Sequence, residues 1–383
     1  MTTTATDASA GPPRAVIAHL LEQFRAGKPA ALARAVSIVE NHRAGFEQVL
    51  AHQHTLLGRA RRIGITGPPG AGKSTLTTRL ARHYRTRALR VGIVAVDPTS
   101  PFTGGALLGD RIRMEEVALD PGVFIRSMAT RGSLGGLATA TREVCDVLDG
   151  FGMDVILIET VGVGQSELDV SRAADSTLVV LVPESGDSIQ TLKAGVMEIA
   201  DVFTVNKADR PGADRLRNDI ELMLGLRAGA TMKDVPAHHG VDLRSAPDRD
   251  ALRDAMNPAR AARAAAREEA PAQWTPPVLR TIAAQGEGID EVADALERHF
   301  RYLESSGELR TRRRARLRER VMEIVEQQVR ERLWRDADTM TWLDAQLDAL
   351  EAGTLVPFAA ADMLRQRSAA LLTGASFAPL QDA

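Results

Sequence analysis

Between residues 62 and 300, short apolar runs alternate with longer stretches in which apolar residues recur every three or four positions. The runs cover residues 63–66, 91–96, 123–127, 155–159, 177–182, 202–206 and 278–283. Several are apolar almost throughout, the pattern of a strand covered on both faces, and such strands belong to parallel sheets. Regular alternation with helices predicts a mainly parallel, doubly wound α/β sheet, whose ligands lie beyond the carboxyl ends of the strands. Ahead of it the period is helical. Val16, Ile17, Leu20, Leu21 and Phe24 form one stripe and Leu32, Val36 and Val39 a second, with Gly27-Lys28-Pro29 breaking the two apart. These helices carry no evident chemistry and are expected to pack on the sheet, with His42, His52 and His54 at surface or capping positions. After residue 301 a basic run, Arg310, Arg312, Arg313, Arg314, Arg316, Arg318 and Arg320, leads into a helix with Leu317, Val321, Val325, Val329 and Leu333 at every fourth position. Acidic residues interspersed through the run mark a solvated face. An apolar stripe projecting past a complete domain suits a dimer arm. The expected divisions are a disordered tail over 1–14, a helical region over 15–60, the α/β domain over 61–303 and a helical C-terminal dimerisation arm over 304–383.

The polar residues that carry chemistry follow the runs. Directly after 63–66 comes Gly67-Pro68-Pro69-Gly70-Ala71-Gly72-Lys73-Ser74-Thr75, a glycine-rich turn opening a helix with the spacing GxxxxGK[ST]. Glycines let successive N–H groups converge on one anion, and the helix start adds its positive end. Gly67, Pro69, Gly70, Ala71, Gly72, Lys73, Ser74 and Thr75 are therefore expected around a nucleoside triphosphate. Lys73 would reach the β- and γ-phosphates, and the Ser74 hydroxyl would ligate Mg²⁺. After 91–96, a glycine-bearing loop supplies Asp97 and Asp110 as carboxylates for the same ion, directly or through water. After 155–158, Glu159-Thr160-Val161-Gly162-Val163-Gly164-Gln165 puts an acid near the ion and a glycine near the γ-phosphate. Val163 follows that glycine and the glutamine comes only at 165, so weak hydrolysis by the lone protein is expected. Asp187, at another loop-to-helix transition, reads equally well as a helix cap. Asn206-Lys207-Ala208-Asp209 decides the base, because the Asp209 carboxylate accepts from guanine N1–H and N2–H₂ together and adenine has no such donor pair. Asn206 is expected to tie neighbouring loops, the Lys207 stem to cover the base, and the Ala283 backbone N–H to serve guanine O6. The pair His238-His239 diverges on any regular element and does not read as a metal site.

Composition narrows the partners. The chain has 383 residues, 44% hydrophobic and 26% charged, enough for one sizeable core and an appendage. A formal net charge of −2 and 4% aromatic residues argue against nucleic acid as a partner. The single cysteine, Cys145, can form no internal disulfide and is expected as a small buried helix residue in a reducing cytoplasm. No apolar run approaches the ~20 residues of a membrane span, so no membrane partner is expected.

The motifs together are more telling than any one. GPPGAGKST at 67–75, VDPTSPFTGGALLGDRIRM at 96–114, IETVGVGQSE at 158–167, SGDSIQTLKAGVMEIAD at 185–201, NKAD at 206–209, WTPPV at 274–278 and GEGI at 286–289 resemble the MeaB/ArgK family of P-loop GTPases. Members are chaperones of adenosylcobalamin-dependent acyl-CoA mutases such as methylmalonyl-CoA mutase. The resemblance implies GTP/GDP as the ligand, Mg²⁺ held around Ser74, Asp97, Asp110 and Glu159, and nucleotide-responsive switches at 97–113, 159–165 and 184–193. It implies a homodimer, an acyl-CoA mutase partner and, beside it, an adenosyltransferase. Hydrolysis stimulated by the mutase would gate cofactor delivery and removal of inactivated cobalamin. The candidate catalytic set is Lys73, Glu159, Gln165, Arg113 and Lys193, with Arg111 as a further source of charge stabilisation. Two departures stand out: Ile282-Ala283 replaces the family's Ser-Ala, and residues 225–269 diverge. A nickel-insertion GTPase would need metal-handling cysteines that have no counterpart beside Cys145. An ATPase or kinase of basic amino-acid transport is disfavoured by Asp209.

Overall fold

The computed structural model describes residues 14–98, 114–130, 136–160, 166–183, 195, 197–227 and 274–369. Seven strands, β1 (Arg61–Thr66), β2 (Val91–Pro98), β3 (Val123–Thr130), β4 (Val155–Thr160), β5 (Ser176–Leu181), β6 (Val202–Asn206) and β7 (Val278–Thr281), form one sheet in the order β3-β2-β4-β1-β5-β6-β7. Every neighbouring pair is parallel. Each strand falls on one of the predicted runs, and the doubly wound α/β class is the observed one. β2 and β3 outlast their runs because they pair with each other to Asp97↔Ala129 and Pro98↔Thr130. β7 stops at Thr281, short of 283, because Ile282 turns away to bridge Glu287.

The helices around the sheet include α1 (Arg14–Arg25), α2 (Pro29–Glu40), α3 (Phe46–Gln53), α4 (Lys73–Thr86), α5 (Glu115–Ala118), α6 (Gly136–Gly150), α7 (Ser166–Ala173), α8 (Ala213–Arg227) and, after β7, α9 (Ile289–Ser306). Side chains alternate across the pleat. Ile63 and Ile65 of β1, Val91 and Ile93 of β2 and Leu178 and Val180 of β5 therefore meet Leu76, Leu80, Val292 and Leu296 of α4 and α9. On the opposite face Val94, Val96, Ile156 and Ile158 meet α2, α6 and α7. Farther along the sheet, Val179, Leu181, Phe203 and Val205 meet Leu216 and Ile220 of α8. Both faces are covered, which is why the strands read as continuous apolar runs.

The N-terminal helices pack into this core through Ile17, Leu20, Phe24, Leu32 and Val36, with Phe24 edge-on to Phe151 at 4.9 Å. Their connector is fastened by the buried Asp149 carboxylate, which accepts from the N–H groups of Gly58, Arg59 and Ala60 at 2.8, 3.2 and 3.0 Å and from Arg62 at 3.2 Å. Burial opposes the charge on Arg62, but Asp146, Cys145, Asp149 and Asp175 outweigh it and raise its pKa. Cys145 is buried in α6. The His42 side chain, 34% exposed, stacks on Phe46 at 4.5 Å, and its Nε2 lies 2.7 Å from the buried Glu143 carboxylate.

The chain divides into two compact units, residues 1–309 and 310–383. The second holds most of α10 (Glu308–Arg335), then α11 (Ala337–Asp344), α12 (Leu347–Glu351) and α13 (Pro357–Arg367). Asp336 caps α11 by accepting from the Thr339 N–H at 2.8 Å. On α10, Leu317, Val321, Met322 and Val325 are each more than half exposed. Among the described residues, no helix is long and apolar enough to cross a membrane.

Candidate nucleotide site

The chain leaves β1 toward β2 on one side of the sheet and leaves β5 toward β6 on the other, so a crevice opens between their carboxyl ends. The phosphate loop occupies that end of β1. Gly67 has φ +136°, and a Cβ there would lie 2.0 Å from the Val180 carbonyl oxygen of β5. Only glycine fits. The loop closes through the Ala71 N–H donating to the Pro68 carbonyl at 3.2 Å, and α4 begins at Lys73. The Lys73 side chain is buried, and its ammonium donates to the Gly67 and Pro68 carbonyls at 2.8 and 3.0 Å. The cation is thereby held inside the curve of the loop, among the backbone groups expected to surround phosphate. Ser74 Oγ donates to Glu159 Oε1 at 2.5 Å, joining the first turn of α4 to the end of β4. A hydroxyl and a buried carboxylate in contact are hard oxygen donors, the type that suits Mg²⁺.

The base motif sits at the end of β6. Asn206 is buried, and its amide faces two ways. Nδ2 donates to the Ala71 carbonyl of the phosphate loop at 2.8 Å, while Oδ1 accepts from the Ala283 N–H at 3.0 Å and the Thr281 hydroxyl at 3.1 Å. A Cβ on Gly72 would lie 2.4 Å from that same Nδ2, so the close approach requires glycine. Lys207 takes the left-handed φ of +56°, which turns the chain sharply past the strand end. The Ala208 N–H then donates to the Thr281 carbonyl at 3.1 Å, and Asp209 stands exposed beyond it. The following loop is clipped by Ile282 N–H donating to the Glu287 carbonyl at 3.1 Å.

The structure thus brings Gly67–Thr75 together with Glu159, and joins Ala71 to Asn206 and Ala283. Lys207 and Asp209 share the turn after Asn206. The Ala283 N–H, expected at guanine O6, donates to Asn206 Oδ1 in this structure. The side chain of Asp97, and Asp110, Arg111, Arg113, Gly162, Gln165, Asp187 and Lys193, lie outside the described residues. So do His238 and His239. Among the described residues, no three metal-ligating groups converge. A contact that motif reading did not find is Arg79 of α4, whose guanidinium reaches the carbonyls of Ala283 and Ala284 and the carboxylate of Glu116. An arginine on a helix has no spacing that would have announced this.

Residues 32–338 match the family model described as Methylmalonyl Co-A mutase-associated GTPase MeaB. The chain belongs to the MeaB family. A Pyrococcus abyssi protein is 45% identical over 310 residues, 81% of this chain and 84% of its own. The mitochondrial methylmalonic aciduria type A homolog of Mus musculus is 31% identical over 352 residues, 88% of this chain and 76% of its own. Among solved structures, one named LAO/AO transport system kinase aligns with a TM-score of 0.60 at 25% identity, covering 93% of this chain and 99% of that one. This MeaB-family protein is a P-loop GTPase, and its ligand class is the guanine nucleotides.

Proposed function

We propose that this MeaB-family GTPase is a chaperone of an adenosylcobalamin-dependent acyl-CoA mutase, gating cofactor loading and protecting or reactivating the mutase. The observation that carries the GTPase half is Asn206, whose one amide joins the phosphate loop to the base loop. The mutase half is supported by the family description, which spans residues 32–338. In this reading the loop from Gly67 to Thr75 wraps the phosphates, Lys73 turns its ammonium from the loop carbonyls onto the β- and γ-oxygens, and Gly162 meets the γ-phosphate. Asp209 reads guanine under the Lys207 stem. Ser74 and Glu159, with Asp97 and Asp110, would hold Mg²⁺, which when bound neutralises charge on the phosphate oxygens. Gln165, Arg113 and Lys193 complete the hydrolytic site once the mutase docks. The arm over 304–383 pairs two copies, and the assembly works in the cytoplasm with an adenosyltransferase as a further partner.

Steady-state GTP turnover, measured alone and with methylmalonyl-, isobutyryl-, 2-hydroxyisobutyryl- and ethylmalonyl-CoA mutases, tests this. Slow turnover alone and a marked rise with one mutase is the expected result. Rapid turnover by the lone protein, or no rise with any of the four, overturns the chaperone reading.

A further inference from the structure

We propose that Arg79 is the positioning residue through which the base loop recognises the O6 edge of guanine. The inference rests on the guanine reading above and adds to it a residue outside every nucleotide motif. Arg79 lies on α4, the helix that opens with Lys73 and Ser74. Its side chain is three-quarters buried and its guanidinium makes three contacts: Nε donates to the Ala283 carbonyl at 3.2 Å, Nη2 to the Ala284 carbonyl at 2.9 Å and Nη1 to Glu116 Oε2 at 3.3 Å. A planar fork holding two successive carbonyls fixes the peptide planes that carry them, which a single ammonium cannot do.

In a trans peptide the C=O and N–H point in opposite directions. The unit whose carbonyl is Ala283's has the N–H of Ala284, so that N–H is turned away from α4. The other amides of the turn are engaged. Ala283 N–H donates to Asn206 Oδ1, Gln285 N–H to the Ile282 carbonyl at 2.9 Å, and Gly286 N–H to the Ile282 and Ala283 carbonyls at 3.0 and 3.2 Å. Among the described residues no acceptor takes the Ala284 N–H, which leaves it as the donor this loop offers to a base carbonyl. Ile282 has no hydroxyl with which the loop could brace itself, and the brace comes from the neighbouring helix instead. Glu116 is shared with Arg82, from which it accepts more closely, at 2.9 Å, so the two carbonyls are the contacts that set the Arg79 guanidinium.

The test compares GDP with 6-thio-GDP, which keeps the N1–H and N2–H₂ donors and replaces O6 with sulfur, a weak acceptor. Titrations use wild type, Arg79→Ala, Arg79→Met and Glu116→Gln. Wild type should prefer GDP. Both Arg79 variants should lose roughly tenfold in GDP affinity, the worth of one well-aligned hydrogen bond, with little loss for 6-thio-GDP, so that the preference collapses. Glu116→Gln should keep it, because the carbonyl contacts remain. Equal losses for both ligands would show that Arg79 merely supports the fold, and unchanged GDP affinity would show that it does nothing for the base; either overturns the inference. Collapse in Glu116→Gln also overturns it, by assigning the effect to the ion pair. Wild type binding ADP as tightly as GDP overturns the guanine reading itself, and this inference with it.

Discussion

Asp209 stands on an exposed turn held through its neighbour's backbone, the Ala208 N–H donating to the Thr281 carbonyl and the Ala208 carbonyl accepting from the Arg280 guanidinium. Its side chain can therefore be changed with little cost to the fold. Asp209→Asn replaces a two-bond acceptor by a group that also donates, which should weaken GTP by about 1.5–3 kcal/mol, the worth of hydrogen bonds to a charged group, and favour xanthine nucleotide. Competition titration of GTP against XTP checks it. Alanine at Arg111, Arg113 or Lys193 should lower mutase-stimulated turnover more than GTP affinity, and a residue whose loss leaves stimulation intact has no part in hydrolysis. At this scale the motif residues were legible because their chemistry requires particular side chains at particular spacings. Arg79 and His42 were not. Their partners lie 204 and 101 positions away in the chain, where no local pattern can report them.

At the scale of elements, seven apolar runs became seven strands because burial on both faces leaves a signal that needs no alignment of partners. Strand ends were less legible, since the extension of β2 to Pro98 and the early stop of β7 depend on neighbours rather than on local polarity. The connector from α3 to β1 shows how one carboxylate can fix a whole element. Asp149→Ala removes the acceptor that three N–H groups share, while Arg62 keeps Asp146 at 2.8 Å. Leaving a buried donor without its acceptor costs about 1–3 kcal/mol, and the urea midpoint should fall accordingly. A milder case is Asp120, whose carboxyl is held below its ordinary 3.8 by the hydrogen bond from Arg85 and by the Gly122 N–H. Its folded-state pKa is the lower one, so its stabilisation is present above that ordinary value and lost as pH falls through the folded one. Asp120→Asn should flatten the acid limb of the stability–pH curve, measured by thermal melts below neutral pH.

For the whole molecule, the second unit presents Leu317, Val321 and Val325 along one side of α10, each more than half exposed. In the dimer proposed above, such a row on a long helix is what a second copy would cover. Val321→Glu should shift the mass measured by light scattering from dimer to monomer while GDP binding by the first unit persists; an unchanged mass would remove α10 from the interface.

Asn206 has a consequence for how a ligand is held. Its amide bonds the phosphate loop at 2.8 Å and the base loop at 3.0 Å, so order at one loop is transmitted to the other through a single rigid group. The two halves of a nucleotide should then not bind independently: pyrophosphate seated in one loop should raise the affinity of the other for guanosine, which titrating guanosine with and without pyrophosphate checks.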